Sequence, residues 1–253
     1  MRRLVTDTLI IAERNLVRLP RAPDLLLAFT VQPIMFVLLF RYVFGGAIRT
    51  KIPYVDYLIP GIIVQNIAFG GFVTALGLNE DVHKGLIDRF RSLPMARPAV
   101  LAGRTLADIV TNALSVAVLL VTGLIIGFSF HNDVLHVIAG IGLLLLFGYA
   151  FSWVFAFVGL LVSSPEAANS AGFIAVFPLT FISSAFVPVS GMPAVLRAFA
   201  DVNPFTIMVD AMRSLWLGQP AGNNVWEALL WIVVIFGVFA PLAVARYRRA
   251  TGN

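Results

Sequence analysis

Apolar and polar positions alternate along this chain on a long wavelength. Six apolar stretches run over 25–44, 57–78, 105–130, 137–162, 169–189 and 226–245. Each is long enough for a helix to cross a hydrocarbon layer of ~30 Å, which takes ~20 residues. The pattern predicts an all-α integral membrane fold of six transmembrane helices in a single unit, 1–253. Gly, Pro and small polar residues inside the stretches are tolerated where neighbouring helices satisfy the backbone.

Between the stretches, polar residues return on helical spacing. Within 1–23, Val5, Leu9, Ala12, Leu16 and Leu19 gather on one face, and Arg3, Asp7, Arg14, Arg18 and Arg21 gather opposite. Ile10 and Ile11 interrupt the polar side, but the pattern still predicts an N-terminal amphipathic helix lying at the membrane interface rather than a cleaved leader. Within the loop 80–104, Val82, Leu86, Phe90 and Leu93 line one face of a short helix. Glu80, Asp81, Lys84, Asp88 and Arg91 occupy the other, and Pro94 and Pro98 then break it. Periodicity alone leaves two readings of this helix open, a solvated linker or a contact face for the membrane or a partner protein. The region 191–222 is too apolar for an exposed loop and too interrupted for a span. It predicts a re-entrant pair of short helices dipping into the outer leaflet, split at Asn203–Pro204.

Charge fixes an expected orientation. Thirteen of the 18 basic residues (Arg2, Arg3, Arg14, Arg18, Arg21, Lys84, Arg89, Arg91, Arg97, Arg104, Arg246, Arg248, Arg249) fall on one side of the six-span plan. The excess of Lys and Arg predicts that this side, with both termini, is cytoplasmic, in a multi-pass protein of the cell membrane. Arg41, Arg49, Lys51, Arg197 and Arg213 fall on the other side. The loop 163–168 is placed inside by alternation.

Composition agrees and then narrows the chemistry. The chain is 59% hydrophobic and 12% charged, with net charge +5 and no cysteine. Soluble domains carry ~25% charged residues, so most soluble enzymes are excluded, and the positive charge reads as membrane topology rather than nucleic-acid binding. A phosphate loop would need Gly before Lys and Ser or Thr. The two lysines, Lys51 and Lys84, follow Thr50 and His83, so no nucleotide site is expected here. Neither a nucleophile elbow, an H-E-x-x-H pair nor a metal-ligand cluster is present in the sequence, and no catalytic residue is expected. Ion-coupled carriers keep ionisable groups deep in their spans. Here Arg41 lies near a span end where it can snorkel, and Asp108 sits four residues after Arg104, its expected partner. Energy is therefore expected to come from outside the chain.

Polar residues inside spans (Gln32, Gln65, Asn66, Asn112) are either interhelical glue or path-facing groups. Gln65 and Asn66 share a span with Phe69 and Phe72, while Phe173, Phe177 and Phe181 recur at i,i+4. The aromatic spacing reads as core packing or as the wall of a substrate path.

Three stretches together carry a family resemblance. They are Tyr57 to Gly61; Glu80 to Arg97 with Lys84, Gly85, Arg89, Arg91, Leu93 and Pro94; and Phe181 to Val189 followed by Met192–Pro193, Asn203–Pro204–Phe205 and Val209 to Arg213. With the six-span plan, the chain resembles the membrane subunits of ABC-2 type exporters, the daunorubicin-resistance permeases above all. The resemblance implies a separate cytoplasmic ATPase that binds ATP and Mg, and a second permease copy, identical or not. It leaves the cargo open among hydrophobic drugs, lipids and polysaccharide chains. The aromatic, uncharged character of the spans holding Phe69 and Phe173 favours a hydrophobic or amphipathic, drug-like or lipid-like compound over a long sugar polymer or glycolipid. By position, Glu80, Lys84, Leu86, Asp88, Phe90 and Arg91 would dock the ATPase, with 163–168 as a smaller contact. Gln65, Asn66, Phe69, Phe173, Phe177 and Phe181 would line the path between facing copies. Asn203, Pro204, Asp210 and Arg213 would belong to the outer re-entrant pair.

Overall fold

The computed structural model describes residues 2–18, 23–83, 97–220 and 222–250. Among these residues there are nine α-helices and no strand. In chain order they are α1 (Arg2–Arg18), α2 (Pro23–Leu38, continued by a π-helical turn Leu39–Phe44), α3 (Tyr54–His83), α4 (Arg97–Ile125), α5 (Val134–Leu161), α6 (Pro165–Phe181), α7 (Ala194–Val202), α8 (Pro204–Leu217) and α9 (Asn224–Ala250).

Local sequence accounts for three of the helix starts. Asp133 accepts the His136 amide at 3.0 Å to cap α5, and Ser164 accepts the Ala167 amide at 3.1 Å to cap α6. Pro165 and Pro204 occupy the first turns of α6 and α8, where a missing amide hydrogen costs nothing. Gly218, with φ of 66°, closes α8 in the left-handed conformation.

Four helical stretches are long and apolar enough to cross a membrane: Tyr54–Val82, Ala99–Ile125, Val134–Leu161 and Asn224–Arg249. The other two stretches expected to span are helical but differ. The first is α2 with its π-helical extension. The second is α6, which stops at Phe181 instead of running on to 189. Its end is fixed by a distant residue: Asn203 Nδ2 donates to the Leu179 and Ile182 carbonyls, each at 2.7 Å. Those carbonyls are thereby satisfied without a further helical turn. The expected loop 163–168 is shorter too, because α6 already begins at Pro165.

The charged helix expected from Glu80 is not separate at its start. Glu80, Asp81, Val82 and His83 continue α3, while Lys84, Leu86, Asp88, Phe90 and Arg91 lie outside the described residues. Pro98 stands in the first turn of α4 rather than ending a helix before it. The face of α1 is also rotated from the expected one. Ile11 and Ala12 are buried, and Leu9, Ile10 and Val17 are exposed. The cause is Gly103 of α4, whose missing side chain lets α1 approach with the Thr8 carbonyl and Ile11.

The centre of the bundle is α3, with α5 against its length, α9 behind α5, and α6 and α8 closing the Tyr57 end. Ile59, Ile62, Ile63 and Ile67 of α3 share one buried apolar core with Phe147, Phe151 and Phe155 of α5 and Phe205, Met208 and Trp216 of α8. Lipid is as apolar as these side chains, so the close fit between helices, not escape from water, holds them together. The helix α8 is buried along its length. Phe205 stacks edge-on with Phe147 and Phe151 at 5.7 and 5.3 Å, about 20–26 Å down α5 from its first residue at 1.5 Å per residue. From there α8 climbs back until Trp216 donates to the Val137 carbonyl at 3.3 Å.

Candidate functional site

Three groups of side chains stand out: an aromatic stripe on the flank of the bundle, a buried guanidinium at the Tyr57 end, and an ion pair at the His83 end.

The stripe begins inside the bundle and ends on its surface. Phe155 meets Phe72 at 4.8 Å, Phe72 meets Phe69 at 5.4 Å, and Phe69 reaches Phe173 at 6.0 Å. The i,i+4 spacing on α6 then stacks Phe173 on Phe177 at 4.9 Å and Phe177 on Phe181 at 4.2 Å. Beyond the helix end, Phe181 meets Phe186 at 5.1 Å, and Phe186 lies 4.5 Å from Phe40. Phe40 contacts Phe36 and Phe44 on either side at 6.1 and 5.3 Å. These distances suit aromatic pairs, and the run links α2, α3, α5 and α6. Phe173 and Phe177 are 49% and 39% exposed on the single subunit, so the stripe is an open wall rather than a sealed core.

Of the residues expected to line a path, Phe69, Phe173, Phe177 and Phe181 are thus brought together. Gln65 is buried within the α3 packing and Asn66 is half-buried. Sequence reasoning missed Phe36, Phe40, Phe44 and Phe186. The first three carried the same i,i+4 signal as the α6 set. Phe40 and Phe44 lie in the π-helical turn, a local irregularity often found where a helix serves function.

At the Tyr57 end, Arg213 makes five hydrogen bonds from a side chain only 4% exposed. Nε and Nη2 donate to the Tyr57 carbonyl at 3.2 and 2.8 Å, and Nη2 also donates to the Ser184 carbonyl at 2.8 Å. Nη1 donates to Ser184 Oγ at 3.1 Å and to Asp210 Oδ1 at 2.9 Å. The guanidinium carbon sits 3.5 Å from the centre of the Tyr57 ring. Around it, the Tyr57 hydroxyl donates to the Ser184 carbonyl at 2.8 Å and the Tyr54 hydroxyl to the Phe186 carbonyl at 3.2 Å. The turn 182–187 can lie this close because Gly61 has no side chain; a Cβ there would overlap the Ala185 carbonyl. Asn203 and Pro204 stand at the break between α7 and α8, where Asn203 Oδ1 accepts the Phe205 amide at 2.9 Å. Asn203, Asp210 and Arg213 therefore tie the α7–α8 pair to α3 and α6.

At the His83 end, the expected pairing of Arg104 with Asp108 is not what forms. Arg104 Nη1 instead donates to Asp81 Oδ2 on α3 at 2.9 Å, and Asp108 accepts the Thr74 hydroxyl at 2.5 Å. Both contacts join α3 to α4. The short i,i+4 path along α4 loses because α3 lies against that face and offers a carboxylate of its own. Glu80 is half-buried near the end of α3.

Outside the apolar segments, Asp133 caps α5 while its carboxylate also faces the His136 ring nitrogen. Hydrogen bonds from the His136 side chain and amide hold the Asp133 carboxyl below the usual carboxylate range.

The profile of the ABC-2 type transporter family matches residues 6–217. The daunorubicin resistance ABC transporter permease protein DrrB1 of Streptomyces coeruleorubidus is 34% identical over 98% of this chain and 88% of its own length. The probable doxorubicin resistance ABC transporter permease protein DrrC of Mycobacterium tuberculosis is 28% identical over 99% of this chain and 91% of its own. The putative transport permease ycf38 of Cyanophora paradoxa is 23% identical over 84% of this chain and 74% of its own. A helical bundle with four membrane-length apolar helices, matched over nearly all its length by permeases, identifies the chain as a multi-pass membrane protein of the ABC-2 type transporter family.

Proposed function

We propose that this chain is the membrane-spanning half of an ATP-driven exporter of hydrophobic or amphipathic compounds, drug-like or lipid-like. ATP and Mg bind to a separate cytoplasmic ATPase that docks on the segment around Glu80, Lys84, Leu86, Asp88, Phe90 and Arg91. Two permease copies face each other, and the cargo passes between them along the phenylalanine stripe. Six crossings, with α2 and α6 completing the set, put both termini in the cytoplasm of a cell-membrane protein. The α7–α8 pair is then the outer re-entrant element, and Asn203 is its deepest point.

The stripe is the observation that carries this reading. A continuous aromatic wall, partly open on the single subunit, suits flat apolar molecules with one polar edge. A sugar polymer would need a lining of hydrogen-bonding groups. The relatives named for resistance to daunorubicin and doxorubicin point the same way. Transport needs no covalent chemistry here. It needs two conformations that bind cargo differently, with ATP binding on the partner choosing between them.

The test is reconstitution of the chain with its co-purifying ATPase in liposomes, with daunorubicin as a fluorescent probe. ATP-dependent accumulation is expected, with Phe173→Ala and Phe177→Ala raising the apparent KM for drug about 3- to 10-fold, or about 1 kcal/mol of lost stacking for each ring. Basal ATP hydrolysis should be unchanged. Movement of drug by the chain alone under a proton gradient would replace this reading with an ion-coupled carrier.

A further inference from the structure

The chain leaves α3 at His83 and rejoins the described fold at Arg97, and the two helices that carry this segment are fastened to each other close to both points. Arg104 pairs with Asp81 at 2.9 Å, the two side chains being 11% and 9% exposed. A second guanidinium nitrogen approaches the Val73 carbonyl at 3.5 Å. The guanidinium crosses α3 at Gly77, where a Cβ would overlap it. One rung further in, the Thr74 hydroxyl donates to Asp108 at 2.5 Å. Thr74, Gly77 and Asp81 share one face of α3, while Arg104 and Asp108, at i,i+4, share one face of α4.

Apolar residues would hold two membrane helices together about as well as a buried ion pair does. What Arg adds is a planar fork whose partners fix distance, direction and register at once. The glycine under the fork belongs to the same device, because any side chain there would displace the guanidinium.

We propose that Arg104, seated on Gly77 and paired with Asp81, is a positioning residue for energy coupling. It makes the two stems of 84–96 one lever, so that a push on that segment moves α3 and α4 together. This rests on the reading above, in which the segment receives the motion of the ATPase. Phe72, on α3, stands five residues before Gly77, about 8 Å along the helix axis. Displacement of the stems therefore reaches the inner end of the aromatic stripe through a single rigid element.

The test uses the full-length chain with its co-purified ATPase in liposomes, reading daunorubicin accumulation and phosphate release in parallel. Arg104→Ala and Gly77→Ala are each expected to keep the ATPase bound and hydrolysis within about twofold of wild type. Drug moved per ATP is expected to fall at least about tenfold, and the double variant to match the singles because all three remove one contact. Arg104→Lys, which keeps the charge and loses the fork, should recover part of the ratio. Gly142→Ala, at a position with no neighbour within 4 Å, should behave as wild type.

An unchanged ratio in Arg104→Ala, or single losses that multiply in the double variant, overturns the lever and leaves the exporter reading standing. Loss of ATPase binding in either single variant also overturns it, since the residue would then serve assembly alone. Wild-type protein that moves drug without ATP overturns both. Should Arg104→Ala fail to reach the membrane, Gly77→Ala decides alone, since it retains both charges and displaces only the far end of a flexible side chain.

Discussion

Replacing Arg213 by Met keeps much of the side chain's apolar stem and deletes the guanidinium, which isolates the polar part of the buried cluster. Five hydrogen bonds and a ring contact at 3.5 Å disappear. Not every acceptor is orphaned. The Ser184 carbonyl keeps the Tyr57 hydroxyl and Asp210 keeps the Ser184 hydroxyl, while Asp210 itself is 36% exposed and partly solvated. Breaking a fully buried charge pair costs about 3–5 kcal/mol, and the solvated Asp210 places this case near the lower end, about 3 kcal/mol. That is roughly a 150-fold change in the unfolding equilibrium. Asp210→Asn leaves the four hydrogen bonds to Tyr57 and Ser184 in place and should cost about 1 kcal/mol. The chain has no cysteine, so a buried reporter thiol such as Ala150→Cys, at a position 0% exposed, becomes reactive only on unfolding. Thiol-labelling rates across a denaturant series then give both differences. A loss below about 1 kcal/mol for Arg213→Met, or one no larger than that for Asp210→Asn, refutes the view that this guanidinium fastens α8 to α3.

Gly61→Ala should destabilise by more than about 2 kcal/mol, since backbone lies against backbone and nothing flexible can yield, while Gly142→Ala should stay within about 0.5 kcal/mol in the same labelling assay. Asp133 has a folded pKa below its unfolded value of 3.8, so its contribution to stability is present above that value and is lost as pH falls through the lower, folded one. Unfolding followed below about pH 4 should show that loss in wild type and a flatter profile in Asp133→Asn. A single cysteine at Asn132 should react with an impermeant thiol reagent on intact cells and one at Ser92 should not; the opposite labelling reverses the orientation assigned to the bundle.

What could be read from the sequence follows the range over which each signal acts. Apolar runs located the helices because a membrane helix satisfies its backbone within itself. The break between α7 and α8 was legible because Asn203 and Pro204 act on their own neighbours. Phe173, Phe177 and Phe181 were legible because i,i+4 spacing is a property of a single helix. The misreadings share the opposite trait. The end of α6 is set by Asn203, 24 residues beyond Leu179 in the chain. Arg104 turned from its near neighbour Asp108 to Asp81, 23 residues back. The face of α1 was decided by a glycine on α4. Arg213 was singled out through the resemblance, but its contacts were not legible, because its acceptors lie on two distant segments. A one-dimensional pattern sees only the helix it belongs to.

The separation of Arg213 from its acceptor also has a consequence for synthesis. Tyr57 and Arg213 are 156 residues apart. At roughly 5–20 residues per second, about 8–30 s pass between the appearance of the first and the second. Through that interval α3 stands in the membrane with its Tyr57 carbonyl lacking the donor it will finally have, and the turn at Ser184 arrives before the residue that fastens it. The fastening of α8 to α3 is thus completed only after Arg213 has been made, long after α3 itself. Chains truncated before Arg213 should be recognisable to quality-control proteases as unfinished, even with most of their helices already inserted.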